Sequence, residues 1–254
     1  MGERLSVKAK LQVDDFSGPA NVGILNINLT FEDTGVADEF IVTFDGVPVN
    51  LAWDAIDNRY EGLNGDVEIR VAYRGVSDNN QSGLVWFNIR DTRGGGDFRH
   101  WGPAVLGFNT DPDVVAGRND MASFSGAGII SINAVDDSFW TTADGPASLN
   151  VDFAAGILNG TIELSDCSCG FGGADIAETT ITLSGGTISG NTFTMDADIN
   201  LADLNLATMS TLTVDGDIYE TNATRLGGTF GGSGTSTIGG EETTLIGAFG
   251  ADED

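Results

Sequence analysis

The sequence VDGDIYETNATRLGGTFGG runs from Val214 to Gly232, and TTLIGAFGADED closes the chain from Thr243 to Asp254. Both stretches belong to residues 151–254, where small residues alternate with Phe, Ile, Leu and Val. Turn signals recur there about every eight to twelve residues, a spacing typical of antiparallel barrels and sandwiches. The pattern predicts eight or nine short strands in the second half of the chain, enough to close a barrel without open edges.

The predicted strands of this second half are short, rich in Thr and other β-branched residues, and flanked by Gly. They are 122–132, 147–153, 156–164, 179–183, 186–189, 192–199, 212–219, 225–231 and 243–249. A short helical turn is expected within Ala202–Ser210.

The front half is also predicted to be an antiparallel β-structure. Alternating runs indicate strands at Leu5–Val13 and Val22–Phe31, and two more at 66–73 and 83–90. In Phe40–Trp53 two apolar runs flank Asp45-Gly46, which predicts a two-residue type I′ hairpin. The predicted fold class is therefore all-β throughout.

Residues 91–118 differ from their surroundings. DTRGGGDFRHWGP (Asp91–Pro103) contains three consecutive glycines and the one histidine of the chain. Triple glycine raises the entropic cost of ordering the backbone, so a long aromatic and Gly-rich loop is expected here. After it, Arg225 is the single basic residue of 119–254. This change of charge places a domain boundary between Arg118 and Asn119, giving domains 1–118 and 119–254.

Composition excludes several classes of function. A formal net charge of −27 repels phosphate backbones, so nucleic acid is not an expected partner. The sequence lacks a nucleophile elbow, a P-loop and a dinucleotide fingerprint, and we expect no enzymatic activity. No transmembrane segment and no leader is visible, so the chain is either a mature form or leaves the cell by a route that needs no leader.

The two cysteines stand in Cys167-Ser168-Cys169. Side chains two apart on an extended strand run parallel at the limit of bridging distance, whereas a pinched loop could close the pair. The sequence leaves both a loop disulfide and free thiols open.

Several of these strands resemble the transferrin-binding-protein-like β-barrel family. ASFSGAGIISI (Ala122–Ile132) resembles its opening strand, and VDFAAGILNGTIELS (Val151–Ser165) and GGTISGNTFT (Gly185–Thr194) resemble hairpins that follow. GDIYETNATRLGGTFGG (Gly216–Gly232) with LIGAFGA (Leu245–Ala251) resembles the closing pair, although Glu220-Thr221-Asn222 replaces a Gly-Pro.

The resemblance implies a small β handle-like domain over 1–118, followed by an eight-stranded antiparallel barrel over 119–254. It also implies an exported bacterial protein, extracellular or at the cell surface, that captures haem, an iron-carrying protein or another host protein without catalysis. The alternative from another class is a structural or decorating subunit of an extracellular assembly such as a surface layer, filament or virus-like particle.

The candidate ligand-binding residues lie in the predicted loop. His100 could hold a haem iron axially, with Arg99 on a propionate and neighbouring aromatic rings against the macrocycle. Phe98, Trp101 and Phe108 could instead insert into a protein partner. The alternatives are an ordinary loop histidine and aromatic side chains that fold back over the end of a sheet.

Overall fold

In the computed structural model, the described residues are 4–15, 23–27, 29–33, 39–73, 83–134, 140–165 and 176–254. Cys167 and Cys169, and with them the disulfide prediction, lie outside these residues. The described chain forms two antiparallel sheets, one before and one after a short helix. The prediction of an all-β fold is confirmed.

The first sheet has nine strands: β1 Arg4–Asp15, β2 Gly23–Ile27, β3 Thr30–Asp33, β4 Glu39–Phe44, β5 Val47–Asp54, β6 Arg59–Asn64, β7 Val67–Tyr73, β8 Leu84–Asp91 and β9 Phe98–Gly107. Strand β1 pairs with β2 and β3 along one side and with β9 along the other, so the sheet curls and its ladder closes. Its interior is filled by apolar side chains that include Leu11, Val42, Val49, Ile69, Phe87 and Ile89.

The β4–β5 hairpin forms as predicted. Phe44 pairs with Val47, and the two residues between them, Asp45 and Gly46, have φ of 46° and 77°. Positive φ at both central positions is the requirement of a type I′ turn, which Asp and Gly meet at little cost. Sequence-local chemistry therefore determines the register of this hairpin.

The prediction of one long loop over 91–118 is wrong. The segment contains a 3-10 turn at Arg93–Gly95, strand β9 and helix α1, Pro112–Gly117. Strand β9 forms because β8 and β1 lie on its two sides and satisfy its backbone hydrogen bonds, as in the pairs Ile89↔His100 and Val13↔His100.

The second sheet also has nine strands: β10 Met121–Ala134, β11 Trp140–Asp152, β12 Ile157–Leu164, β13 Thr179–Ser189, β14 Thr192–Ile199, β15 Leu206–Met209, β16 Leu212–Tyr219, β17 Arg225–Ser236 and β18 Glu242–Glu253. Strands β15 and β16 follow one another along the same side of β17, so they occupy one position in the ring. The ring closes through β10–β18 and β17–β18. The predicted eight-stranded antiparallel barrel is confirmed.

Three details of the barrel differ from the sequence prediction or refine it. The two strands predicted at 179–183 and 186–189 form one strand, β13, with a register shift between Ser184 and Thr187. Strand β11 begins at Trp140, earlier than predicted. The helical turn expected in Ala202–Ser210 is a 3-10 turn at Leu201–Leu204.

The barrel packs on the outside of the first sheet. Outward side chains of both sheets form a shared cluster in which Leu84 and Val105 meet Ile129, Tyr219 and Ala248. The barrel therefore covers one end of the outer surface of β8 and β9.

The segment between the sheets is held tightly to the barrel. Thr110 donates from its backbone to Ile218 at 3.0 Å and from its hydroxyl to the carbonyl of Glu220 at 2.6 Å. Arg118 forms ion pairs with Asp120 and with Glu253. These contacts fix the orientation of the first sheet on the barrel.

Candidate functional site

Strand alternation separates the residues that the sequence placed in one cluster. His100 points into the first sheet and is 9% exposed, with its ring centroid 5.0 Å from that of Phe44. Since successive side chains of a strand point to opposite faces, Arg99 and Trp101 lie on the outer face. The adjacent residues Arg99, His100 and Trp101 therefore cannot converge on one ligand.

The surroundings of His100 disfavour the charged form of its imidazole. Burial lowers the pKa of His100, the nearby Asp91 carboxylate opposes this shift, and Arg93 adds to it. Among the described residues, its Nδ1 atom has no hydrogen-bond partner. Arg93 binds Asp91 through two nitrogens, at 2.9 and 2.6 Å, and lowers the pKa of that carboxyl.

These residues do not fit a haem group. An axial histidine, a propionate-binding arginine and a stacking tryptophan would have to face the same space. Here His100 faces the packed interior of the sheet, and Arg99 and Trp101 face the other side of the same strand.

A cluster of three acidic residues could also hold a metal ion, but an arginine already neutralises part of its negative charge. In the described part of the chain, Asp54, Asp57 and Glu61 are the group of three acidic residues whose oxygens lie close enough to share a metal ion. Arg59 forms ion pairs with Asp57, at 2.5 Å, and Glu61, at 2.9 Å. A guanidinium group therefore already supplies positive charge to this cluster.

The outer surface of β6–β9 carries the candidate functional site, which we name the Arg/Trp face. Its members are Arg59, Glu61, Leu63, Glu68, Arg70, Trp86, Asn88, Arg90, Arg99 and Trp101.

Cross-strand register brings these residues into rows. One row runs from Glu68 through Arg90 to Arg99, and the next runs from Arg70 through Asn88 to Trp101. The alternate residues on the same strands, such as Ile69 and Ile89, are fully buried, which places the rows on the open side. Four arginines of a chain with only 11 basic residues thus share one surface.

Carboxylates hold these guanidinium groups in place. Arg90 donates to Asp97 from Nε and from Nη2, both at 2.8 Å. This bidentate pair lowers the pKa of Asp97, chiefly through its hydrogen bonds. Arg70 pairs with Glu68 at 2.5 Å. Because both arginines are already ordered, a ligand that binds them meets a lower entropic cost.

One exposed leucine and two partly buried tryptophans complete the Arg/Trp face. Leu63 is 69% exposed at its outer margin. Trp101 is half-buried, and Trp86 packs against the cluster where the barrel meets the sheet. Trp and Arg side chains provide large contact areas and directed donors, the combination that dominates protein-binding energetics.

The remaining predicted residues lie apart from the Arg/Trp face. Phe98 is half-buried at the start of β9. Phe108 follows the end of β9, and its carbonyl accepts from the backbone of Glu220 at 2.7 Å, which ties it to the barrel. Sequence reasoning therefore found Arg99 and Trp101 and missed Arg70, Arg90 and Trp86, whose alternation with buried residues was the available signal.

The sequence was compared with known families and proteins. The family described as the C-lobe and N-lobe beta barrels of Tf-binding protein B matches residues 117–253. A comparison with curated proteins finds no match. Within the described residues, no helix is both long and apolar enough to cross a bilayer.

Solved structures show the same fold. Transferrin Binding Protein B from Haemophilus parasuis Hp5, a single-site mutant, matches with a TM-score of 0.54 at 16% identity, over 98% of this chain and 46% of that one. The isotype 1 protein from serogroup B Neisseria meningitidis matches with a TM-score of 0.53 at 18% identity, over 98% of this chain and 43% of that one. The present chain spans less than half of either protein. It belongs to the family of the C-lobe and N-lobe β-barrels of transferrin-binding protein B.

Proposed function

We propose that this protein is a non-enzymatic, exported bacterial protein that captures an iron-carrying or other host protein, either at the cell surface or after release. The Arg/Trp face is its contact surface. Family membership supports a binding role, since the solved relatives are named for binding transferrin.

The observation that carries the proposal is the concentration of Arg99, Trp101 and Arg90 on one open sheet surface. The chain as a whole is strongly acidic, with a net charge of −27. An acidic surface gives little specific attraction for most proteins. Guanidinium groups beside an indole, in contrast, offer specific anchors for a protein partner. The partner that fits is a protein with acidic side chains at its contact surface.

Biolayer interferometry against purified iron-carrying plasma proteins, with transferrin first, tests this proposal. Trp101→Ala should weaken capture at least about tenfold, because an anchoring Trp commonly contributes 2 kcal/mol or more. The matched control is Trp140→Ala, which removes a tryptophan that is 46% exposed on the barrel. Equal effects of the two variants, or no capture from the whole panel, would refute the proposal.

The same preparations address the other two sequence hypotheses. Haemin titration of wild type and His100→Ala should give no Soret band that depends on His100, because that side chain faces the sheet interior. Particle sizing without any partner distinguishes capture from assembly: a binding protein stays monodisperse, whereas a structural subunit oligomerises on its own.

A further inference from the structure

A small depression opens in the middle of the Arg/Trp face. Its volume is about 100 Å³, and it is lined by Glu68, Arg70, Asn88, Arg90 and Arg99. The lining residues carry three positive charges and one negative charge, in a chain whose net charge is −27. An incoming anion therefore meets a local excess of positive charge here.

The backbone register explains why three guanidinium groups converge. Arg90 lies directly opposite Arg99 on β9, and Asn88, two residues before Arg90, lies opposite Arg70 on β7. Neighbouring strands are about 4.8 Å apart, and same-face residues along a strand about 7 Å apart. Side chains as long as arginine reach a common point from such positions.

The existing ion pairs orient the arginines without using all of their donors. Asp97 engages Nε and one side of Nη2 of Arg90, and a guanidinium group has five N–H donors, so the Nη1 edge lies away from Asp97. Glu68 engages Nη2 of Arg70. The Asn88 side-chain amide adds a neutral donor to the same depression.

We propose that this depression is a receptor for one oxyanion of the carboxylate class. Planar forked donors match the two oxygens of a carboxylate, and arginine is the residue best suited to such bidentate contacts. The cavity admits one small group and not an extended ring system. The oxyanion comes either from an acidic group of the captured protein, in which case the inference rests on the proposed function, or from a small carboxylate in solution.

The probe is sodium acetate, exchanged for sodium chloride at constant ionic strength. Its binding is followed through the ¹⁵N-labelled arginine Nε–Hε signals of the full chain. We expect saturable shifts for Arg70, Arg90 and Arg99. Arg90→Gln and Arg99→Gln should each raise the acetate Kd about tenfold, since each removes charge-assisted hydrogen bonds.

Two further variants separate site chemistry from folding and from general charge. Arg90→Lys keeps the charge but loses the planar fork, and it should also weaken acetate binding although the barrel and sheet stay folded. Arg59→Gln removes an equal charge on the Arg/Trp face outside the depression, and it should change the Kd less than about twofold. Linear shifts without saturation, or the same loss in Arg59→Gln as in Arg90→Gln, would overturn the proposal.

A competition arm identifies the source of the oxyanion. If acetate at saturating concentration weakens protein capture, the depression receives an acidic group of the partner. If acetate binds and capture is unchanged, the site serves a small carboxylate. If capture depends on Trp101 but acetate does not bind, the proposed function stands and the oxyanion site is refuted.

Discussion

Replacing Gly107 with alanine should break the packing between the first sheet and the barrel. Gly107 ends β9 and lies against the ring of Tyr219. A Cβ at this position would lie 2.4 Å from Cγ and 2.6 Å from Cδ1 of Tyr219. Carbon atoms in ordinary contact are about 3.5–4.0 Å apart, so the ring or the strand must move by about 1 Å.

Neither group has room for such a movement. Tyr219 is 0% exposed and packs among Leu84, Val105 and Ala248. Strand β9 is fixed by β1 and β8 on its two sides. Over-packing of a filled site costs about 1–3 kcal/mol, and the rigidity on both sides places Gly107→Ala at the upper end of that range.

Urea denaturation, followed by circular dichroism, measures the loss in free energy of unfolding. Gly117→Ala is the control, since no described atom outside its chain neighbours and its own helix backbone lies within 4 Å of its added Cβ. In the Tyr219→Ala background the ring is absent but the Cβ of residue 219, 2.7 Å from the added Cβ, remains, so Gly107→Ala should cost clearly less than in the wild type without becoming neutral. If Gly107→Ala lowers the free energy of unfolding equally in both backgrounds, or not at all in the wild type, the contact with Tyr219 is not the reason that position 107 requires glycine.

Two further perturbations test the interior and the link between the sheets. Because burial lowers the pKa of His100 below about 6.5, the unfolded chain takes up its proton first as pH falls. The free energy of unfolding should therefore decrease from pH 7 towards 5.5, by at most about 1.4 kcal/mol per pH unit. His100→Gln should abolish this contribution to the pH dependence. Urea denaturation at each pH measures both proteins, and the same pH dependence in wild type and variant would contradict the prediction. Arg118 is 14% exposed, pairs with Asp120 and Glu253 and covers the Phe153 ring at 4.0 Å. Arg118→Met should cost about 2–4 kcal/mol in the same denaturation assay, and a loss below about 0.5 kcal/mol would mean that the ion pairs do not stabilise the link.

Much of the fold could be predicted because local sequence determines it. Alternation of small and apolar residues from Ala122 onward indicated the barrel strands, and Asp45-Gly46 indicated a hairpin whose φ angles the structure confirms. Each of these signals acts over a few residues: a pleated strand with one buried face needs period-two alternation, and a two-residue turn needs positive φ.

The candidate site could be predicted only in part. Arg99 and Trp101 stand out by residue type, but their neighbours on the Arg/Trp face, Arg70 and Arg90, come from other strands. A single sequence without the register does not show that side chains some tens of residues apart lie side by side. The orientation of His100 was missed for the same reason, since it depends on whether the segment is a loop or a strand.

The sequence by itself determined the β-class, the acidic surface, the barrel strands and the chemical types available for binding. The tertiary structure decided that Phe98–Gly107 is a strand, which pairs on one side with β8, just before it in the chain, and on the other with β1, about ninety residues earlier. That pairing satisfies the backbone of β9, and alternation along it then sends His100 inward and Arg99 and Trp101 outward. Local propensity near three glycines favours a loop, and the hydrogen bonds that β8 and the distant β1 supply on the two sides of β9 outweigh it.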